Sequence, residues 1–206
     1  MFDKSKAHLH LDPFLIPTEI CDSDNELIFC KAKDIIGRTK DIKVAANHIC
    51  EWMREEITYT FDFCSVKASQ TLLKREGMCT NKANLQIALL RSLGIPAGYG
   101  IVHITKQVFE RDVVPEIYEK ISEPTTHVFA CVWDPEFDRF CYHDSTERGK
   151  DFLDFMVVLP TGEIRYQDRW LRGGIHIHSN LDHLFKMPSR WSREEFEKQN
   201  IEYRKG

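Results

Sequence analysis

Apolar positions follow two regimes along the chain. In the first half they recur at helical spacing, and in the second they crowd into short runs or alternate. "SDNE" opens the first expected helix, with Ser23 and Glu26 at capping-box spacing, and that helix reaches about Ile36. A second covers about Lys43 to Ile57, with Ala45, Ile49, Trp52, Met53 and Ile57 on one face. A third runs from about Cys79 to Leu93, its apolar positions including Ala83, Ile87, Leu90 and Leu93. Gly94 suits its C-terminal cap, and Pro96 prevents continuation.

The pattern then changes. "AGYGIVHI" reads as a strand, and "KQVFERDVVPEIYEKI" as a short helical excursion. "THVFACVW" and "RFCYHDS" flank "DPEFD" as a hairpin, and "FMVVLP" and "EIRYQDRW" form a second strand pair around Thr161 and Gly162. "SREEFEKQNIEY" returns to helical spacing, with Ser192 and Glu195 as a second capping box. Helices followed by an antiparallel sheet predict an α+β fold. At 206 residues, with no repeat, low-complexity segment or linker, the chain reads as one domain over residues 1–206.

Composition narrows the partners. Hydrophobic residues at 42% and charged residues at 29% support a folded core and argue against disorder. A net charge of -4 supplies no general attraction for nucleic acid or an anionic membrane. "MFDKSKAHLHLDPF" lacks a signal-peptide core, and no apolar run approaches a membrane span. Seven cysteines (21, 30, 50, 64, 79, 131 and 141) show no pairing pattern, so a reducing, cytoplasmic setting is expected.

Cys79 is the candidate nucleophile. It heads the best-patterned helix, where the positive end of the helix dipole lowers a thiol pKa. Gly77 is expected to let the chain turn tightly and expose the sulfur. The Cys79 backbone N–H is free to donate to an oxyanion. A histidine partner emerges from the hairpin. With "DPEFD" as its turn, a register sum of 271 or 272 sets His127 opposite Asp144 or its neighbour Ser145. A carboxylate there would fix the imidazole, and the imidazole would deprotonate Cys79. His143, next in sequence to Asp144, is the rival base, but strand alternation points it to the other face.

These blocks carry a resemblance. "REGMCTNKANLQIALLRSLGIPAGYG", then "THVFACVW", then "YHDST" resembles the transglutaminase-like superfamily over about Val44 to Thr146. "HLDPFLIPTEICDSDNELI" is similar to the start of its small stand-alone bacterial and archaeal members. The resemblance implies a papain-like α+β core with the cysteine helix packed on the sheet. It also implies Cys79 as nucleophile, His127 as general base and acid, and Asp144 as orienting carboxylate. Tyr59 is a candidate second oxyanion donor by position, with a core tyrosine as the plainer reading. The additional β domains of animal transglutaminases do not fit in this length, so their calcium dependence is not carried over, and no cofactor is expected.

The chemistry implied is attack on an acyl carbon, a thioester intermediate and transfer to an acceptor. The donor is an amide, a peptide or a thioester. Water as acceptor makes a peptidase or amidase, and an amine makes a transglutaminase-like transferase. One alternative is an amide synthase taking acyl groups from carrier-protein thioesters, as a bacterial branch of the superfamily does. Another is a non-catalytic binding module on the same fold. "TKQVFERDVVPEIYEKISEPTT", just before His127, is a candidate wall or lid for the substrate groove.

Two histidine clusters are read as non-metal. "AHLHLD" suits alternation along an edge strand, since the amidohydrolase barrel it evokes needs more chain. His176, His178 and His183 in "GGIHIHSNLDH" lack supporting ligands at metal-site spacing, and a structural or substrate-contacting role is preferred. Cys131, Cys141 and His103 are read as packing or strand residues.

Overall fold

The computed structural model describes residues 9–110, 113–146 and 155–203. A 3-10 helix over Leu9–Phe14 replaces the edge strand expected around His10, and His8 lies outside the described residues. Pro13 within "LHLDPF" cannot donate to a strand ladder, which disfavours that expectation.

Helix α1 (Glu26–Ile36) is capped by Asn25, whose Oδ1 accepts from the Leu27 N–H at 3.0 Å. The Ser23–Glu26 capping box therefore does not form; Ser23 is buried, its amide donating to Cys21 O. Asn and Ser are about equally good caps, so spacing alone does not choose between them. Helix α2 (Ile42–Glu56) begins after Asp41, whose carboxylate accepts from the Lys43 and Val44 amides. Strand β1 (Thr58–Tyr59) comes next, then α3 (Ala68–Lys74), a helix that the pattern reading lacks. It is only 7 residues long, too short for a periodicity to register. Strand β2 (Glu76–Gly77) pairs in parallel with β1 and leads into α4 (Cys79–Ser92). Gly94 takes φ 81°, and Ile95 N–H bonds Leu90 O across it, the Schellman closure expected there.

Strand β3 (Ala97–Ile104) is succeeded by a 3-10 turn over Lys106–Phe109 and the short helix α5 (Pro115–Tyr118). Strands β4 (Thr125–Asp134) and β5 (Arg139–His143) form the predicted hairpin. Strands β6 (Met156–Val158) and β7 (Ile164–Tyr166) form the second pair. Strand β8 (His176–His178), helix α6 (Asp182–Phe185) and helix α7 (Arg193–Tyr203) complete the described chain. The Ser192–Glu195 box forms as predicted, with reciprocal amide bonds of 2.8 and 3.2 Å.

The main sheet is antiparallel with strand order β5-β4-β3-β8. Alternation divides its faces. Ala97, Tyr99, Val128, Ala130 and Val132 join the core made with α1, α2, α3 and α4. Val102, Ile104, Phe129 and Cys131 join a second core with Phe155, Met156, Ile164 and Tyr166 from the β6–β7 region. The β6–β7 turn is held to α2 by Asn47, whose Nδ2 donates to Thr161 O at 2.9 Å. Gly162 takes φ 83° there, and a Cβ would lie 2.0 Å from Asn47 Oδ1, so a larger residue would be strained and would displace the Asn47 side chain. Among the described residues no helix is long and apolar enough to cross a membrane.

Helix α4 is buried almost all round, and most of its polar side chains find partners inside, Gln86 being an exception among the described residues. Lys82 Nζ donates to Ile57 O at 2.6 Å, and Asn84 Oδ1 accepts from the Tyr99 hydroxyl at 2.6 Å. Arg91 donates to Ala97 O through Nε and Nη2, to Ile16 O at 2.8 Å and to Ser179 O at 2.6 Å. One guanidinium thus joins the N-terminal segment, β3 and the segment after β8. Arg91→Leu leaves these carbonyls short of a charged donor. It is expected to cost roughly 3 kcal/mol in urea unfolding. A loss under about 0.5 kcal/mol would show that water replaces the guanidinium.

Candidate active site

Cys79 is the first residue of α4, half-exposed on a cavity of about 450 Å³. The turn before it is pinned by Asn81, whose Oδ1 accepts from the Met78 N–H at 3.1 Å while Nδ2 donates to Phe63 O at 2.9 Å. Gly77 has a role other than the tight turn expected of it. Its φ is not positive, but an added Cβ would lie 2.6 Å from Asn81 Cβ, so glycine is needed for close approach. The Cys79 N–H donates to no acceptor among the described residues, as befits the first turn of a helix. Parallel pairing of Tyr59 with Gly77 brings Tyr59 to the rim of the same cavity.

His127 and Asp144 meet as a buried pair. Nε2 of the imidazole lies 2.6 Å from Asp144 Oδ2, and the side chains are 3% and 1% exposed. The hairpin register is not the expected one. Ala130 faces His143 and Asp134 faces Arg139, a register sum of 273 rather than 271 or 272. Asp134 pairs with Arg139, so the loop is residues 135–138 and its centre lies half a residue later than that of "DPEFD". His127 and Asp144 nevertheless share a face, because a shift of two keeps parity and makes them diagonal neighbours. Nε2 is turned to Asp144, which leaves the other ring nitrogen uncommitted, and Cys79 is near enough to the imidazole to raise its pKa.

The carboxylate is held from several elements. Asp144 Oδ2 also accepts from the Tyr166 hydroxyl at 2.8 Å, and Oδ1 from the Thr146 N–H at 2.8 Å. Arg54 from α2 donates to the Asp144 carbonyl, with Nη2 at 2.7 Å. The imidazole stacks on Phe129 and meets Phe155 and Tyr166 edge-on. Sequence reasoning misses Arg54, Thr146 and Tyr166. Tyr166 has a signal in "EIRYQ", a strand with an aromatic at an inward position, but nothing local says which core it enters.

Burial disfavours charge on both members of the pair. On His127 the Asp144 carboxylate and the contact with Cys79 outweigh burial and hold the pKa up at about 10. On Asp144 the imidazole and the Thr146 N–H outweigh burial and hold the carboxyl well below the usual range. His143 behaves in the opposite way. Burial pushes it down to about 4, and its Nδ1 has no partner among the described residues. It faces Ala130, away from Asp144, as alternation predicts.

The remaining candidates fall elsewhere. His176 and His178 lie on β8 beside β3, and neither they nor His183 line the cavity with Cys79. His103 contacts Thr126 at 3.4 Å. Cys131 and Cys141 are buried within the sheet. Phe109, Ile117 and Ile121 of the segment before His127 form a wall of the cavity.

A family model for the transglutaminase-like superfamily matches residues 31–144. The chain belongs to that superfamily. Its core is the mixed helix and antiparallel-sheet arrangement of the papain-like, transglutaminase-like fold. A solved structure from Cytophaga hutchinsonii, described as a candidate cysteine protease, is 23% identical with a TM-score of 0.54. The match covers 68% of this chain and 43% of that one, so this chain spans under half the length of its neighbour. At that identity the likeness is one of fold. No curated protein matches the chain.

The pKa directions set a pH dependence. A raised His127 pKa gives stability that is full below the ordinary 6.5 and lost as pH rises through about 10. A lowered Asp144 pKa gives stability present above the ordinary 3.8 and lost as pH falls. The pair therefore stabilises the fold through the neutral range. In thermal melts, the gap between the natural protein and Asp144→Asn should be widest between about pH 5 and 6.5, shrink through the neutral range and be narrow above pH 10. A gap constant from pH 7 to 10.5 would mean that His127 carries no pair-dependent proton.

Proposed function

We propose that the protein is a cysteine-dependent acyl-transfer enzyme working through a Cys79–His127–Asp144 triad. The observation that carries this reading is a buried His127–Asp144 pair with one ring nitrogen uncommitted, beside a half-exposed thiol at a helix N-terminus that raises the imidazole pKa. Membership of the transglutaminase-like superfamily supports it.

In this reading the thiol proton passes to His127 Nδ1 and Cys79 Sγ bonds to the acyl carbon of an amide or thioester. The carbonyl electrons move onto oxygen, and the free Cys79 N–H and the Tyr59 hydroxyl are the proposed donors to that oxyanion. Collapse breaks the bond to the leaving amine or thiol, which takes the proton from His127, and a thioester remains on Cys79. An incoming amine or water then loses its proton to His127 and attacks the thioester, and the Cys79 thiolate leaves. Asp144 keeps Nε2 protonated throughout and stabilises the imidazolium. Tyr166 acts through Asp144 as a positioning residue.

Iodoacetamide at limiting concentration tests the nucleophile directly. Cys79 is expected to be carbamidomethylated ahead of the other six cysteines below pH 8, and to lose that lead in His127→Ala. Equal labelling of all exposed cysteines would favour the non-catalytic binding module. Cys79→Ala should abolish turnover and keep the fold, since the side chain is half-exposed at a helix mouth. Tyr166→Phe keeps the ring packing but drops the bond to Asp144. It is expected to lower kcat by roughly tenfold, with KM nearly unchanged and the pH profile displaced. A KM change alone would assign Tyr166 to packing.

A further inference from the structure

The cavity at Cys79 has a chemical character of its own. At about 450 Å³ it is in the range of small-molecule sites. Its walls come from four segments that are distant in sequence. Phe61 lies just after β1, Phe109 and Ile117 belong to the excursion before β4, Val128 lies on β4, and Phe185 and Trp191 come from the C-terminal segment. Aromatic and branched side chains from several elements converge on the half-exposed Cys79, with the half-buried Cys64 also on the lining.

Charge is withheld from this space. Asp62 lies on its border but is 5% exposed and bound by Lys74 at 2.6 Å and Arg193 at 3.1 Å. Arg190 stands exposed at the mouth and donates to Ser122 Oγ at 3.0 Å. An ionised group carried into the apolar part would give up water for no opposite charge. A flat aromatic or branched body would replace water against the ring faces and stay beside the nucleophile.

Resting on the acyl-transfer reading above, we infer that the acyl donor is an uncharged acyl group with a bulky apolar body, of the arylalkanoyl kind, seated between the Phe109–Ile117 wall and the Phe185–Trp191 wall. Its carbonyl carbon then sits at Cys79 and its leaving group points to solvent. The bond made is Cys79 S–C(acyl), the bond broken is that to the leaving thiol, and the proton goes from Cys79 through His127 to that thiol.

The test uses the full chain and four N-acetylcysteamine thioesters: acetyl, hexanoyl, 3-phenylpropionyl and succinyl. Thiol release gives kcat/KM, and intact mass shows the acyl group on Cys79. The 3-phenylpropionyl donor should exceed acetyl by about tenfold or more, with hexanoyl between and succinyl lowest. Met187 borders the cavity and is 64% exposed, so Met187→Glu should fold and reduce the phenylpropionyl-to-acetyl ratio by severalfold. A flat series, or a preference for succinyl through Arg190, would overturn the inference and leave the acyl-transfer reading intact.

If no donor acylates Cys79, the acyl-transfer reading fails by itself, and the pocket is then judged by binding. N-phenyl-1-naphthylamine, a neutral apolar fluorophore, should bind Cys79→Ala, be displaced by 3-phenylpropionamide and bind more weakly to Cys79→Ala/Met187→Glu. Absence of that binding overturns the apolar-acyl assignment.

Discussion

The interaction on which the rest depends is the hydrogen-bonded pair of His127 and Asp144, almost wholly removed from water. Burying two charges costs several kcal/mol each, and their mutual attraction offsets this only when the remaining lone pairs are also satisfied. That requirement recruits distant parts of the chain. Tyr166 arrives on β7, Thr146 on the segment after β5, and Arg54 on α2. The β6–β7 hairpin would be a small appendage without this demand. Its turn is fixed by Asn47 and Gly162 so that its last strand delivers a phenol to a carboxylate.

The second constraint is that a thiol proposed as nucleophile at a helix mouth must be presented by a helix that cannot move. Helix α4 meets it by being buried almost all round and by committing Lys82 and Arg91 to neighbours' carbonyls. Its start is equally restrained. Asn81 clasps the Met78 amide and Phe63 O, and Gly77 leaves room for Asn81 to do so. In the proposed mechanism the free Cys79 N–H and the helix dipole would then act at a fixed point, which is the condition for electrostatic stabilisation without reorganisation.

Much of this is legible in the sequence because the signals are local. The spans of α2 and α4, the Gly94 closure, the Ser192–Glu195 box and the β4–β5 pairing come from periodicity and turn chemistry. The juxtaposition of His127 and Asp144 is legible too, for a partly fortunate reason. The true register differs by two from one expected sum and by one from the other, and only the even shift preserves the face. The features that escape the sequence are long-range or short. Helix α3 is too brief for a period, Asn25 and Ser23 compete as caps on equal terms, and β8 is a 3-residue edge. The Tyr166 and Arg54 contacts join positions 22 and 90 residues from Asp144, where no spacing rule applies.

The family match ends at residue 144, and this boundary divides the site in an informative way. Cys79, His127 and Asp144 fall inside it, together with the helix and strands that hold them. Tyr166 and the Leu181–Phe196 side of the cavity fall outside. The groups that bring a thiol, an imidazole and a carboxylate together thus belong to the shared core. Two of the groups that restrain the carboxylate, Tyr166 and Thr146, and one side of the space above the sulfur come from segments C-terminal to that core. An antiparallel sheet with one face covered by helices leaves its other face and open end free to receive such additions without disturbing the core. Change in the Leu181–Phe196 segment would therefore alter what the cavity admits without removing a hydrogen-bond partner of the pair.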